Sequence, residues 1–172
     1  MEVNTIILSL GSDLGDKIAH LEQAITKIRE NIGEIVSISS VYESEPVGFV
    51  SDTTFFNLCL IVDSTLTKEE ILPELQRIEK EIGRKKKENQ PNYESRIIDL
   101  DIIFFNAEII RTKELSVPHL HFRERKFVLI PLVEIVPDFI DPISHLNCTQ
   151  LLKNCSDNSK VSKIESDFQL KE

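Results

Sequence analysis

Two aspartates, Asp99 and Asp101, stand two apart in Arg96-Ile97-Ile98-Asp99-Leu100-Asp101-Ile102-Ile103-Phe104-Phe105, inside an otherwise apolar run. Isoleucine and phenylalanine at that density predict a buried β-strand. Side chains alternate along a strand, so both carboxylates point to one face. Two ionised carboxylates side by side repel each other and are costly to desolvate. A hard cation relieves both costs, and Mg²⁺ typically takes one or two carboxylates and completes its shell with water and phosphate oxygens. The bland alternative is a pairing of one Asp with Arg96, or an edge strand with both carboxylates solvated.

Other polar residues collect around this pair. The basic loop Arg84-Lys85-Lys86-Lys87 precedes it, while His119, Arg123 and Arg125 follow it. A loop from Glu43 to Thr54, containing Pro46, leads into Phe55 and Asn57. Asn57 sits in an apolar run, where a buried amide needs partners for its donor and its acceptor. Carboxylates, cations, aromatics and an amide at one sheet edge suit a Mg²⁺-nucleotide and a flat, hydrogen-bonding heterocycle. Phosphoryl-type transfer needs positioning and charge neutralisation more than a nucleophilic side chain. No G-x-x-x-x-G-K-[ST] is present, so this is not a P-loop enzyme. Singly, each feature has an ordinary structural explanation: a solvated lysine run, core phenylalanines, a turn-capping His119, a surface Glu79.

The elements that must carry these residues follow from periodicity. Ile6 to Leu10 is a strand ending at Gly11. Ile18, Leu21, Ile25, Ile28 and Ile32 mark an amphipathic helix closed by Gly33. A strand runs toward Tyr42, and another from Phe55 to Val62. Thr67 to Glu70 is a capping box opening a helix that Gly83 stops. The order β-α-β-β-α-β predicts an α+β, ferredoxin-like core with an antiparallel sheet and helices packed on it. Further C-terminal helices are expected over 127–136, interrupted at Pro131, and over 149–152. A domain spanning 1–155 and a polar tail, partly disordered, over 156–172 complete the expected organisation.

Composition narrows the functional class. The chain has 172 residues, 41% hydrophobic and 28% charged, with a net charge of −9. That acidity disfavours a nonspecific nucleic-acid binder. The three cysteines, Cys59, Cys148 and Cys155, form no C-x-x-C and suggest neither a disulfide framework nor a zinc site. No leader-like N-terminus and no run long enough to span a bilayer occurs, so a cytoplasmic protein without membrane or nucleic-acid partners is expected.

Several pieces, in order along the chain, resemble the 6-hydroxymethyl-7,8-dihydropterin pyrophosphokinase family of folate biosynthesis. They are Leu10-Gly11-Ser12-Asp13-Leu14-Gly15-Asp16, Ser39 to Pro46, Phe56-Asn57, Gln76 to Glu79 with Gly83-Arg84, Arg96 to Ile102, Val117-Pro118-His119 and Arg125-Lys126-Phe127. The resemblance reaches about Leu152. It implies pyrophosphoryl transfer from ATP to the pterin hydroxymethyl group, with release of AMP. Two Mg²⁺ ions would be held by Asp99 and Asp101, one across the α- and β-phosphates and one across the β- and γ-phosphates. Arg84 and Arg96 join the aspartates as catalytic candidates.

By the same resemblance Asn57 reads the pterin edge and Phe55 and Phe127 sandwich its ring. Ser44, Val47 and Asp99 complete that pocket. Gln76, Glu79, Arg84, Arg96, Ile102, Ser116, His119 and Arg125 match positions that hold ATP. The loops over 44–54 and 84–95 match mobile lids. The chain departs from the family pattern at Glu114, where some members carry Arg, at Leu120 and Phe55, where aromatics and Tyr are familiar, and within a longer 84–96 loop. A monomer is expected. Two rivals remain: another D-x-D metal enzyme acting on a nucleotide or nucleotide-sugar, and a non-catalytic ferredoxin-like RNA-binding module, which would need exposed sheet aromatics and a basic surface.

Overall fold

The computed structural model describes residues 2–45, 54–83 and 97–165. Among them, one antiparallel sheet forms the centre. Its strands are β1 (Asn4–Ser12), β2 (Glu34–Ile38), β3 (Tyr42–Ser44), β4 (Phe55–Ser64), β5 (Asp99–Phe105) and β8 (Val161–Lys163). The order is β5-β1-β4-β3-β8, with β2 also paired to β4. β2 and β3 together occupy the second-strand position of the ferredoxin-like core. The break between them is bridged by Ser39, whose N–H donates to the Cys59 carbonyl at 2.9 Å. A two-stranded ribbon, β6 (Ile110–Arg111) with β7 (Ser116–Val117), follows β5.

The helices α1 (Lys17–Asn31) and α2 (Lys68–Ile82) cover one face. Asp16 opens α1 by accepting from the Ala19 N–H at 3.1 Å. The Glu70 carboxylate accepts from the Thr67 N–H at 2.8 Å, the expected capping interaction of α2. Gly83 ends α2 at φ 118°, a left-handed conformation that favours glycine. Ile6, Leu8 and Leu10, Leu58, Leu60 and Val62, and Leu100 and Ile102 meet Leu21, Ile25, Ile28, Ile71, Leu75 and Ile78 in the main core. Each such side chain, fully buried, contributes about 1.5–3 kcal/mol.

The helices α3 (Lys126–Ile135) and α4 (Cys148–Lys153) pack on the opposite face. There Ile7, Cys59, Ile103 and Phe104 meet Phe122, Val128, Leu129, Leu132 and Leu151. The C-terminal helices thus make a third layer, and the sheet is buried on both sides. Phe104 packs edge-on against Phe122, with ring centroids 5.1 Å apart.

Three expectations are corrected. β1 does not stop at Gly11 but pairs through Ser12, opposite Phe56. The third helix is not interrupted at Pro131, which lies inside α3. Proline has no N–H to donate to the Phe127 carbonyl, a loss of about 3 kcal/mol, but Val128, Leu129, Pro131 and Leu132 are buried, and their packing carries the helix through. The segment after Cys155 is not wholly outside the fold. Val161–Lys163 adds an edge strand to β3, supplying its open backbone groups with partners. Among the described residues no helix is long and apolar enough to cross a membrane.

Candidate active site

Register brings Asp99, Asp101, Asn57 and Phe55 together on the α3 face. In β5, Asp99 stands opposite Gly11 and Asp101 opposite Ser9. In β4, Asn57 stands opposite Gly11 and Cys59 opposite Ser9. Asp99, Gly11 and Asn57 therefore form one row across three strands, and Tyr42 of β3 continues it. Both aspartates are half-buried, as their shared face requires. A bulge follows them: Leu8 pairs with Ile102 and Ile7 with Phe104, so Ile103 is extra. The bulge puts Ile103 and Phe104 together on the α3 face with the aspartates, while Phe105 turns into the main core.

Gly11 is the residue whose role sequence reasoning missed. A Cβ built there would lie 2.7 Å from Asn57 Oδ1, closer than real Cβ contacts allow. Its missing side chain leaves a notch in the strand that the Asn57 amide oxygen fills, in the same row as Asp99. A glycine inside a strand was the available signal, since it often marks close approach of a ligand or backbone. Asn57 is 4% exposed and donates through Nδ2 to Ser44 Oγ at 3.0 Å. With the amide nitrogen held by Ser44, Oδ1 sits in that notch over Gly11.

Phe55 is half-buried on β4, opposite Ser44. Phe56 points the other way, packs against the main core, and lies under the Lys17 ammonium at 4.3 Å. On the first turn of α3, Phe127 packs against the second core. Arg125 occupies the N-cap position of α3 without a side-chain cap, and its guanidinium carbon is 5.8 Å from the Phe127 ring centroid.

His119 reaches the site through the bulge. Its N–H donates to the Ile103 carbonyl at 3.1 Å, which carries the imidazole beside β5. Nε2 lies 3.9 Å from Asp101 Oδ2. Nδ1 accepts from the His121 N–H at 3.1 Å, so the neutral ring carries its proton on Nε2, toward Asp101. Burial, reinforced by the charge of Arg125, pushes the imidazole down to about 4, so it is uncharged near neutrality.

Glu79 is no surface acid. It is 6% exposed, and its carboxylate accepts from the Leu100 N–H at 3.2 Å. That bond fixes the outer edge of β5 between the two aspartates. The side chain of Ile102 lies in the main core, on the opposite face from the aspartates. Gln76 is exposed on α2 and lines a cavity of about 530 Å³ with Glu69, Leu72, Arg111, Glu114 and Leu115. Ser116 sits on β7, opposite Arg111. Val47, Arg84 and Arg96 lie outside the described residues.

The donor set fits a hard ion in an open site. No cluster of three or more His, Cys, Asp or Glu ligands occurs among the described residues. Two adjacent half-buried carboxylates suit Mg²⁺ that draws its remaining ligands from water and phosphate. They do not make a closed zinc or calcium cage.

The model of the family described as 7,8-dihydro-6-hydroxymethylpterin-pyrophosphokinase (HPPK) matches residues 7–137. The chain belongs to the HPPK family. The 2-amino-4-hydroxy-6-hydroxymethyldihydropteridine pyrophosphokinase of Aquifex aeolicus is 42% identical over 139 residues, which cover 81% of this chain and 84% of that protein. The Bacillus subtilis enzyme of the same name is 38% identical over 77% of this chain and 78% of its own length. The folic acid synthesis protein fol1 of Pneumocystis carinii is 37% identical over 89% of this chain, which spans only 20% of that larger protein. Crystal structures of Plasmodium falciparum HPPK-DHPS share the fold. The wild type with pteroate superposes with a TM-score of 0.71 at 16% identity, over 88% of this chain and 44% of that one. The ferredoxin-like α+β architecture is thus that of HPPK domains, and the family is one of pyrophosphokinases.

Proposed function

We propose that the protein transfers the pyrophosphoryl group of ATP to 6-hydroxymethyl-7,8-dihydropterin in folate biosynthesis, acting in the cytoplasm. The pterin hydroxymethyl oxygen attacks the β-phosphorus of ATP. The bond from that phosphorus to the oxygen bridging the α- and β-phosphates breaks, AMP leaves with that oxygen, and the hydroxyl proton passes to solvent. The observation that carries the reading is the row Asp99–Gly11–Asn57, which sets a carboxylate and a fixed amide on the two strands flanking a bare glycine, with Asp101 beside them.

Asn57 Oδ1 accepts from the polar edge of the pterin, while Ser44 holds the amide in that orientation. Phe55 and Phe127 stack on the ring, and Val47 and Asp99 complete its pocket. Offset stacking of this kind is worth about 0.5–1.5 kcal/mol per pair. Asp99 and Asp101 would hold two Mg²⁺ ions, which would neutralise the triphosphate and lower the pKa of the attacking hydroxyl. Arg84, Arg96 and Arg125 grip phosphate oxygens with their guanidinium forks. His119, neutral with its proton on Nε2, donates a hydrogen bond to the same phosphates. Gln76 and Ser116 bind the nucleotide. Glu79 acts by holding β5, and Ile102 contributes its main chain, because its side chain is committed to the core.

The test is Asp99→Ala and Asp101→Ala, assayed with ATP, pterin and saturating Mg²⁺. Each variant should keep its circular dichroism spectrum and lose turnover by roughly a hundredfold or more. Near-normal turnover by either would defeat the two-metal assignment.

A further inference from the structure

The helix α3 carries Arg125 and Phe127 at its start, yet α3 does not cap itself. Arg125 makes no side-chain cap, and the first turn holds no acidic residue. The acceptor comes from the C-terminal segment, beyond the region matched by the family model. The Lys126 N–H donates to Asp157 Oδ2 at 3.0 Å, and the Ser159 N–H donates to Asp157 Oδ1 at 2.9 Å. Burial pushes this carboxyl up, but the hydrogen bonds from Ser159 and Lys126 outweigh it and hold the group below the usual carboxylate range. An anion at this place also complements the positive end of the helix.

The same segment then reaches the sheet. Val161 pairs opposite Ser44, and Lys163 opposite Tyr42. The Ile164 N–H donates to the Val41 carbonyl at 2.9 Å. The stretch 157–164 thus ties the start of α3, which carries Phe127, to the strand that carries Ser44. Ser44 in turn orients Asn57.

We infer that Asp157 is a positioning residue for the pterin pocket, and that 157–164 is a strap that fixes Phe127 relative to Ser44 and Asn57. The inference rests on the pterin reading given above. Asp157 touches no substrate. It acts through the first turn of α3.

The test compares wild type, Asp157→Ala and Asp157→Asn. Binding of 6-hydroxymethyl-7,8-dihydropterin is followed by its fluorescence, with Mg²⁺ and a non-hydrolysable ATP analogue present. Affinity for the analogue and the thermal midpoint are measured alongside. Asp157→Ala should weaken pterin binding by about three- to tenfold, the scale of a lost helix cap. Binding of the ATP analogue should fall less than pterin binding, because Arg125 shares the disturbed turn but is one of several proposed nucleotide contacts. Asp157→Asn, whose amide oxygen still accepts one N–H, should fall between and also shows the effect if the alanine variant does not fold. Unchanged pterin affinity in both variants would overturn the inference. So would an equal loss of pterin and ATP affinity, which marks general destabilisation. If the wild type itself binds no pterin, the functional reading fails first.

Discussion

Asn57 and Asp99 face each other across the bare backbone of Gly11. The central strand pairs Gly11 with both residues, and a methyl group on it would reach Asn57 Oδ1 at 2.7 Å. A flat ligand laid along this row would meet an amide on one strand and a carboxylate on another.

Replacement of Gly11 by Ala therefore tests the notch. The added methyl must displace the Asn57 amide, which Ser44 holds. Pterin KM should rise by roughly tenfold or more, since a misdirected polar group at a recognition edge costs at least about 1–3 kcal/mol. KM for ATP should change little. Equal kinetics for Gly11→Ala and wild type would mean that the ligand does not use this notch.

The imidazole of His119 should resist protonation. Burial, with the charge of Arg125 beside it, holds it down to about 4, against about 6.5 for a free imidazole. The unfolded chain therefore binds more protons between those values. Stability from this group is complete above about 6.5 and declines as pH falls toward 4. An NMR titration from pH 8 to 5.5 should show no protonation of His119. A midpoint near 6.5 would contradict its buried, neutral placement.

An ion pair between the buried Asp141 and the partly exposed Arg123 sets the approach to α3. Asp141 is fully buried and accepts from Arg123 Nε at 2.6 Å, from Arg123 Nη2 at 2.8 Å and from the Ser144 hydroxyl at 2.7 Å. Burial pushes this carboxyl up, but the hydrogen bonds from Arg123 and Ser144 outweigh it and hold it below the usual range. A depressed carboxyl contributes stability that is present above the unfolded value, about 3.9, and is lost as pH falls through the lower folded value. Asp141→Ala leaves Arg123, which still reaches water, without its partner and should cost about 1–3 kcal/mol in urea unfolding at pH 7. The difference from wild type should shrink toward pH 2. A cost independent of pH would show that charge plays no part.

Much of this architecture was legible in the residues. The isoleucine spacing of α1, the capping box at Thr67 and the alternation around Asp99 and Asp101 depend on local periods that any homogeneous helix or strand displays. The carboxylates' shared face follows from the two-residue period alone. What escaped notice depends on contacts distant in sequence. Ile103 looks like one more strand isoleucine, and only its pairing opposite β1 makes it a bulge that brings His119 to the site. Pro131 read as a break because local propensity opposes it, while tertiary burial keeps it helical. Resemblance alone places Glu79 at the nucleotide, and its sequence by itself allows an ordinary surface acid, because its carboxylate meets a backbone N–H twenty-one residues away. Asp157 offered no signal, since a lone acid in a polar tail acquires meaning only from Lys126, thirty-one residues earlier.

The central claim is that this chain moves a pyrophosphoryl group to a pterin. The most direct measurement is nucleotide product analysis with ATP and Mg²⁺, with and without 6-hydroxymethyl-7,8-dihydropterin. AMP released only when pterin is present, in equal amount to pterin pyrophosphate, is the predicted result. Pterin-dependent ADP would contradict it, by placing the attack on the γ-phosphorus, and so would the absence of both nucleotides from folded, metal-supplied protein.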